Sequence, residues 1–289
     1  MVEELRSIKE RRERFREVLS REQITSPASI YDAVSARLAE EAGFEVAIFA
    51  GSLAHHAILG APDIAIVTLS EVAEQARRIS RASSIPFWID ADHGYGNALS
   101  VARTIEDLEA AGASAVSIED TALPQAFRSS GHDLISLDEF AGKLKAAVGA
   151  RQDPSFVVIG RTAGFAREDI DSALRRIEAC NQAGVDCIHV ASGATPEKLE
   201  ALAGVTRLPL IIGGGIADQA LALKCRVRIA DWNHVAFGAV IKSLRDSYAF
   251  LRAGGTADDL QRDSGAPPEL TRVALAGEYY DRATKEYMN

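Results

Sequence analysis

Residues 86–120 read PFWIDADHGYGNALSVARTIEDLEAAGASAVSIED. A short apolar run, Pro86–Asp92, ends in two aspartates. An amphipathic run follows from Ala98 to Ala111, with apolar residues at helical spacing, and Gly112 stops it. A second apolar run, Ala115–Asp120, again ends in carboxylates. The unit is strand, helix, strand, and its strands are apolar on both faces, as buried parallel strands are.

The same alternation extends both ways along the chain. Upstream, Ala28–Ile30 precedes a helix over Tyr31–Ala42, and Glu45–Ala50 precedes one over Leu69–Ser83. Downstream of Ala115–Asp120 comes a helix over Leu137–Val148. Phe156–Arg161 then pairs with Asp169–Ala183, and Asp186–Ser192 with a helix from Pro196. Leu208–Ile212 pairs with Ala217–Lys224, and Arg226–Ala230 with Val235–Arg252. Eight such units between about residues 27 and 253 specify a (β/α)8 TIM-type barrel in a single domain. A doubly wound sheet is the structural competitor, since both alternate strand and helix. Residues 1–22 predict an extra N-terminal helix. Residues 254–289 predict a C-terminal helical tail.

Composition narrows the function. The 289 residues carry 41 acidic against 32 basic side chains, a formal charge of −9. That balance lacks the basic stripe of a sequence-independent nucleic-acid binder. No apolar run reaches the roughly 18 residues of a membrane helix, and the N-terminus lacks the apolar core of a signal peptide. Cys180, Cys187 and Cys225 have no metal spacing and cannot all pair, so a reduced, cytoplasmic setting is the simpler expectation. Cys180 and Cys187 read as small core hydrophobes.

Barrel chemistry sits at the C-terminal ends of the strands. Those ends carry Ser52, then Asp90, Asp92 and His93, then Glu119 and Asp120, then Arg161, then His189 and Ser192, then Gly213–Gly215, then Asp231 and His234. Carboxylates, an arginine and a histidine therefore converge on one face. Asp90 and Asp92 are two apart on a strand and project to one side, where they repel and are costly to desolvate. A divalent cation relieves both problems, and carboxylates with water-filled positions describe a Mg2+ site. The bland alternative is a set of capping or loop carboxylates. Arg161 offers a planar fork for a carboxylate or phosphate, against a salt bridge to Glu119 or Asp120. His234 could bind substrate or move protons. His55, His56, His132 and His189 have weaker cases. Gly213–Gly215, leading into a helix, could hold a phosphate or simply turn the chain.

These residues sit in a pattern that resembles the isocitrate lyase / phosphoenolpyruvate mutase superfamily over about residues 28–253. The telling stretches are YDAVSARLAEEAGFEVAIFAGS, GAPDIAIVTLSE, WIDADHGYGNAL and AVSIEDTALPQAF. Within it the sequence is most similar to the oxaloacetate decarboxylase group. The resemblance implies a carboxy-lyase that takes oxaloacetate to pyruvate and CO2 through a metal-stabilised enolate. It implies Asp90 as the direct ligand of Mg2+ (or Mn2+), with Asp92 and Glu119 bound directly or through water. It implies substrate-carboxylate contacts from Ser52 and Arg161, and a substrate contact from His234. Asp63 matches an acidic residue of a mobile loop; His93 and Asp120 are further candidates around the site. It implies a homo-oligomer, a dimer of dimers with the 254–289 tail packing on a neighbouring subunit, and a small 2-oxo acid as the partner; the composition points to neither nucleic acid nor membrane.

Departures decide among members. The superfamily's lyases carry Cys-Gly-His in a flexible loop, where residues 128–132 here read Arg-Ser-Ser-Gly-His and Ser130 replaces the thiol. A serine hydroxyl titrates too high to serve for it. Ser192 stands where the lyases carry glutamate, and TALPQAF lacks the polar loop residues of phosphoryl-shifting mutases. Ala163, where the family has Asn or Asp, and Gly213–Gly215 depart from the favoured pattern. The rivals are a C–C or P–C lyase or hydrolase acting on a methylisocitrate-like or phosphonopyruvate-like acid, a silent barrel kept for binding or assembly, and a phosphate binder.

Overall fold

The computed structural model describes residues 6–129, 133–232 and 234–288. Ser130, Gly131 and His132, on which the loop comparison turns, lie outside them. The chain starts with α1 (Ile8–Ser20). It continues through β1 (Ala28–Ser29), α2 (Ala33–Glu41), β2 (Ala47–Phe49), α3 (Gly51–Ala54), α4 (Leu69–Ser80), β3 (Phe87–Asp90) and α5 (Ala98–Ala110). The middle holds β4 (Ala115–Glu119), α6 (Leu137–Ala150), β5 (Val157–Thr162), α7 (Gly164–Arg167), α8 (Ile170–Ala183) and β6 (Cys187–Val190). The last units are α9 (Pro196–Val205), β7 (Leu210–Gly213), α10 (Gln219–Lys224), β8 (Val227–Asp231) and α11 (Val235–Arg252), before a tail of α12 (Ala257–Ser264), α13 (Pro268–Ala274) and α14 (Gly277–Tyr287).

The eight strands pair in sequence order, each parallel to the next. Thr25, just before β1, closes the ring: its N–H donates to the Arg228 carbonyl at 2.9 Å and its carbonyl accepts from Ala230 at 2.9 Å. The architecture is the expected (β/α)8 barrel. Side-chain caps decide where helices begin. Asp32 accepts from the Ser35 N–H, so α2 starts two residues later than the apolar pattern suggests. Thr68 and Glu71 form a capping box that starts α4, and Asn97 accepts from Leu99 and Ser100 to start α5.

Strand parity separates two cores. Ile48, Trp88, Ala115, Val157, Ile159, Cys187, Ile211 and Ile229 point into the barrel. Phe49, Phe87, Ile89, Val116, Ile118, Val158, Ile188 and Ile212 point out beneath the helices, with Cys180. Burial pushes the Cys180 and Cys187 thiols well above the usual range, so both behave as apolar groups.

Helix α1 floors the barrel. Phe15 is fully buried among the inner residues and meets Trp88 edge-on at 6.1 Å. Arg11 donates to the carbonyls of Ser80 and Ser83 ahead of β3, and Arg12 donates to that of Ala113 ahead of β4. These anchors lie before the strands, so α1 seals the N-terminal end and leaves the other end open. At the far end of the chain, α13 lies against α2, where Arg37 donates to the Ala274 carbonyl at 3.0 Å. No residue of α11 to α14 is buried.

Truncating the floor should cost about as much as a core aromatic does. Phe15→Ala should lower the unfolding free energy by about 3–5 kcal/mol, read by urea denaturation. A loss under about 1 kcal/mol would show that α1 does not brace the barrel.

Candidate active site

Alternation along the strands continues above the apolar layers. Trp88 points inward, so Asp90 does too; Ala115 puts Ser117 and Glu119 on the inside; Ile159 puts Arg161 there. The three ends converge on one guanidinium. Arg161 Nη1 lies 2.7 Å from Asp90 Oδ2 and 2.6 Å from Glu119 Oε2. Asp90 Oδ1 also accepts from the Ser117 hydroxyl at 3.2 Å. Burial by itself would depress the Arg161 pKa, but Asp90 and Glu119 more than reverse this and hold it above its ordinary range.

Asp92 follows the strand in the left-handed region, at φ 48°. Burial pushes its carboxyl well above the ordinary range, and the charges of Asp90 and Glu119 push it further. Burial raises Glu119 as well, partly offset by Arg161. Gly51, which opens α3 just past β2, leaves room for the Asp92 carboxyl: a Cβ there would sit 2.4 Å from Asp92 Oδ1. Ser52 follows it in α3 and is half-buried.

Residues 51–68 had no predicted structure. They form α3, a π-turn over His55–Leu59, and a loop that returns to His55. His55 is fully buried. Its Nδ1 lies 2.8 Å from the Gly51 carbonyl and so carries the proton, while Nε2 accepts from Ile66 and Val67 at 3.0 and 3.3 Å. This latch brings Asp63 to 3.4 Å from His55 Nδ1. His55, Asp63 and Asp92 thus gather ligand atoms within 4.8 Å of one another. The imidazole has no lone pair left for a metal, so this trio offers two carboxylates and no nitrogen.

Asp120 departs from the grouping at the mouth. It is one residue past Glu119 and so faces the outer layer. There it accepts from Thr162 Oγ1 at 2.5 Å and the Ala163 N–H at 3.0 Å, with Arg176 Nη1 at 3.4 Å. His93 stands with its ring 6.0 Å from that of Tyr95, and its carbonyl accepts from Lys143 Nζ of α6 at 3.2 Å. Burial lowers the His93 pKa to about 4. His234 sits at the start of α11, and its Nδ1 meets Ser29 Oγ of β1 at 2.9 Å. Burial holds its pKa below the usual value against the pull of Asp231 and Asp90.

The glycine run does not lead straight into a helix. Gly214 and Gly215 turn the chain at φ +87° and +85°. α10 begins only at Gln219, where Asp218 already accepts from the Leu221 N–H. A carboxylate occupying that helix start disfavours an anion there, which removes the support for phosphate binding. His189 of β6 reads in the sequence as a lone histidine. Its parity with Cys187, two residues earlier, was the signal that places it inside the barrel.

The donor set suits a hard divalent cation. Asp90, Asp92 and Glu119 supply only oxygen, they are buried or nearly so, and Arg161 compensates two of them.

Residues 15–238 match the family described as phosphoenolpyruvate phosphomutase. The chain is 45% identical over 281 residues to a protein named oxaloacetate decarboxylase from Rhodopseudomonas palustris (strain BisA53), covering 96% of each. It is 42% identical over 284 residues to one of the same name from Bradyrhizobium diazoefficiens, covering 97% of this chain and 94% of that protein. Among solved structures it superposes on a phosphonopyruvate hydrolase in complex with oxalate and Mg2+. That match has a TM-score of 0.84 and 29% identity, covering 96% of this chain and 99% of that one.

The raised carboxyls make stability depend on pH in a defined direction. A carboxyl whose folded pKa lies above its unfolded value holds its proton more tightly when folded. Stability is therefore full below the unfolded value and falls as the pH rises through the folded one. Asp92→Asn should stabilise the metal-free protein by about 1–2 kcal/mol at pH 7. The gain should vanish below the ordinary carboxyl value of 3.8. Chemical denaturation in chelator reads this, and a destabilised variant at pH 7 would contradict it.

Proposed function

The chain belongs to the phosphoenolpyruvate phosphomutase family, and from that premise we propose that it is a Mg2+-dependent oxaloacetate decarboxylase. The observation that carries the reading is the inward cluster of Asp90, Glu119 and Arg161, in a chain 42–45% identical along nearly its whole length to proteins named for that activity. Asp90 would hold Mg2+ directly, with Asp92 and Glu119 in contact directly or through water. When bound, the ion supplies Lewis-acid stabilisation of charge developing on the C2 oxygen of the 2-oxo acid.

The chain's own groups do the rest. Ser52 and Arg161 bind the C1 carboxylate and orient the substrate so that the C3–C4 bond stands perpendicular to the carbonyl plane. That bond breaks, C4 leaves as CO2, and its electron pair passes toward the C2 carbonyl. A proton delivered to C3 completes pyruvate. His234, braced by Ser29, contacts the departing carboxylate or the donor of that proton. Asp63, latched by His55, closes the side of the mouth next to Asp92, and His93 and Asp120 support the strand ends from outside the cluster.

A second reading keeps the site and changes the substrate to another 2-oxo or hydroxy acid. Ala163, which the favoured pattern does not contain, favours it, and a panel with phosphonopyruvate and methylisocitrate separates the two. The silent-barrel reading conflicts with the retained carboxylates. We also place the protein in the cytoplasm as a dimer of dimers. Val235, Ile241, Leu244 and Tyr248 are exposed along α11 and give a neighbouring subunit an apolar face.

Purified protein with Mg2+ should form pyruvate from oxaloacetate above the metal-only rate, and Asp90→Ala should lower kcat/KM by roughly a hundredfold or more. A wild type no faster than free Mg2+ would refute the function, and an Asp90→Ala variant at full rate would refute the metal assignment.

A further inference from the structure

Among the polar side chains inside the barrel mouth that the reaction as described does not use is His189. His189 is only 5% exposed, and its Nδ1 is buried without a hydrogen-bond partner among the described residues. Its Cα is in register with Arg161 of β5 and Ile211 of β7. Cys187, on the same face of β6, packs with the inner residues, so the imidazole and the guanidinium lie side by side within the barrel. Arg161 Nε is also buried and unpartnered, because Nη1 alone serves Asp90 and Glu119.

Buried polar groups without partners are rare in native proteins and call for an explanation. Two on adjacent strands at one mouth are a concentrated case. Both can donate, His189 Nδ1 in the tautomer that carries its proton there. Arg161 Nε–H can only donate, and so can Trp88 Nε1–H one layer below, which is likewise unpartnered. Neither makes a hydrogen bond to any of the described residues. Burial and the neighbouring Arg161 hold the His189 pKa down to about 3, so its ring is neutral at working pH. It can present an N–H without adding a second positive charge beside the guanidinium. Two donors left without acceptors on adjacent strands suit an anionic oxygen.

We infer that His189 is a substrate-contacting residue, its Nδ1–H and Arg161 Nε–H forming a two-donor cradle for the C1 carboxylate of the substrate. This deepens the decarboxylase reading and rests on it for the identity of the substrate. The cradle selects acids whose carboxylate lies next to the carbonyl. It acts on binding more than on the chemical step, because that carboxylate is present in ground state and transition state alike.

The test uses the full chain and oxalate, which presents the same pair of adjacent oxygens as the C1–C2 end of the substrate. Oxalate affinity in saturating Mg2+ is measured by calorimetry, beside kcat and KM for oxaloacetate, for wild type, His189→Leu and His189→Asn. Asparagine places an N–H close to where Nδ1 stands. His189→Leu should weaken oxalate and raise KM by roughly tenfold or more, with kcat changed far less, and His189→Asn should recover most of the loss. His189→Met serves the same comparison where leucine prevents folding. Unchanged oxalate affinity in the apolar variant overturns the inference while an active wild type leaves the function standing. Equal losses in the asparagine and apolar variants also overturn it, since they report packing alone. An inactive wild type overturns the decarboxylase reading, and the oxalate affinities still decide on His189.

Discussion

One guanidinium makes the mouth of this barrel tenable. Asp90, Asp92 and Glu119 crowd a site where burial penalises each charge, and Arg161 answers two of them through a single nitrogen. Removing one partner of a buried pair leaves an uncompensated charge, which costs far more than the pair contributes. Arg161 also joins three consecutive strands, so the spacing of β3, β4 and β5 at the mouth is set by its reach. The surplus that remains, centred on Asp92, is what a divalent cation can neutralise.

The same strand ends are stitched on their other face. Glu119 and Arg161 are register partners, and so the residues that follow them face outward together. There Asp120 accepts from Thr162 and Ala163, and Arg176 of α8 approaches from the helical layer. Two adjacent carboxylates, the last residue of β4 and the one after it, thus serve different ends. The inner one belongs to the site, and the outer one fixes β5 so that Arg161 cannot drift. Below them, α1 fills the barrel floor with Phe15, which confines polar chemistry to the open end. Rigidity beneath and beside the cluster is what lets it hold unfavourable charges in place.

Much of this could be read from residues in order. The alternation of apolar and amphipathic runs gave the barrel, because parallel strands buried on both faces leave a plain mark. Strand ends then located Asp90, Glu119 and Arg161. Glu119 and Asp120 stand together in the sequence, but neighbours on a strand point to opposite sides, and the structure turns them to opposite faces. Other features depend on contacts that sequence does not announce. Residues 51–68 take their shape from hydrogen bonds to His55, and Thr25 closes the ring through two backbone bonds with no side-chain signature. The start of α10 moved because Asp218 caps it. His189 carried no local signal beyond its spacing from Cys187.

If Arg161 both orients the substrate and spans Asp90 and Glu119, its geometry matters as much as its charge. The most direct test is Arg161→Lys, which keeps one positive charge but loses the planar fork. Oxaloacetate turnover and Mg2+ affinity are measured on the same folded preparation. The account predicts Mg2+ binding within a few-fold of wild type and kcat/KM lower by about a hundredfold. A lysine variant that decarboxylates oxaloacetate at the wild-type rate would contradict it.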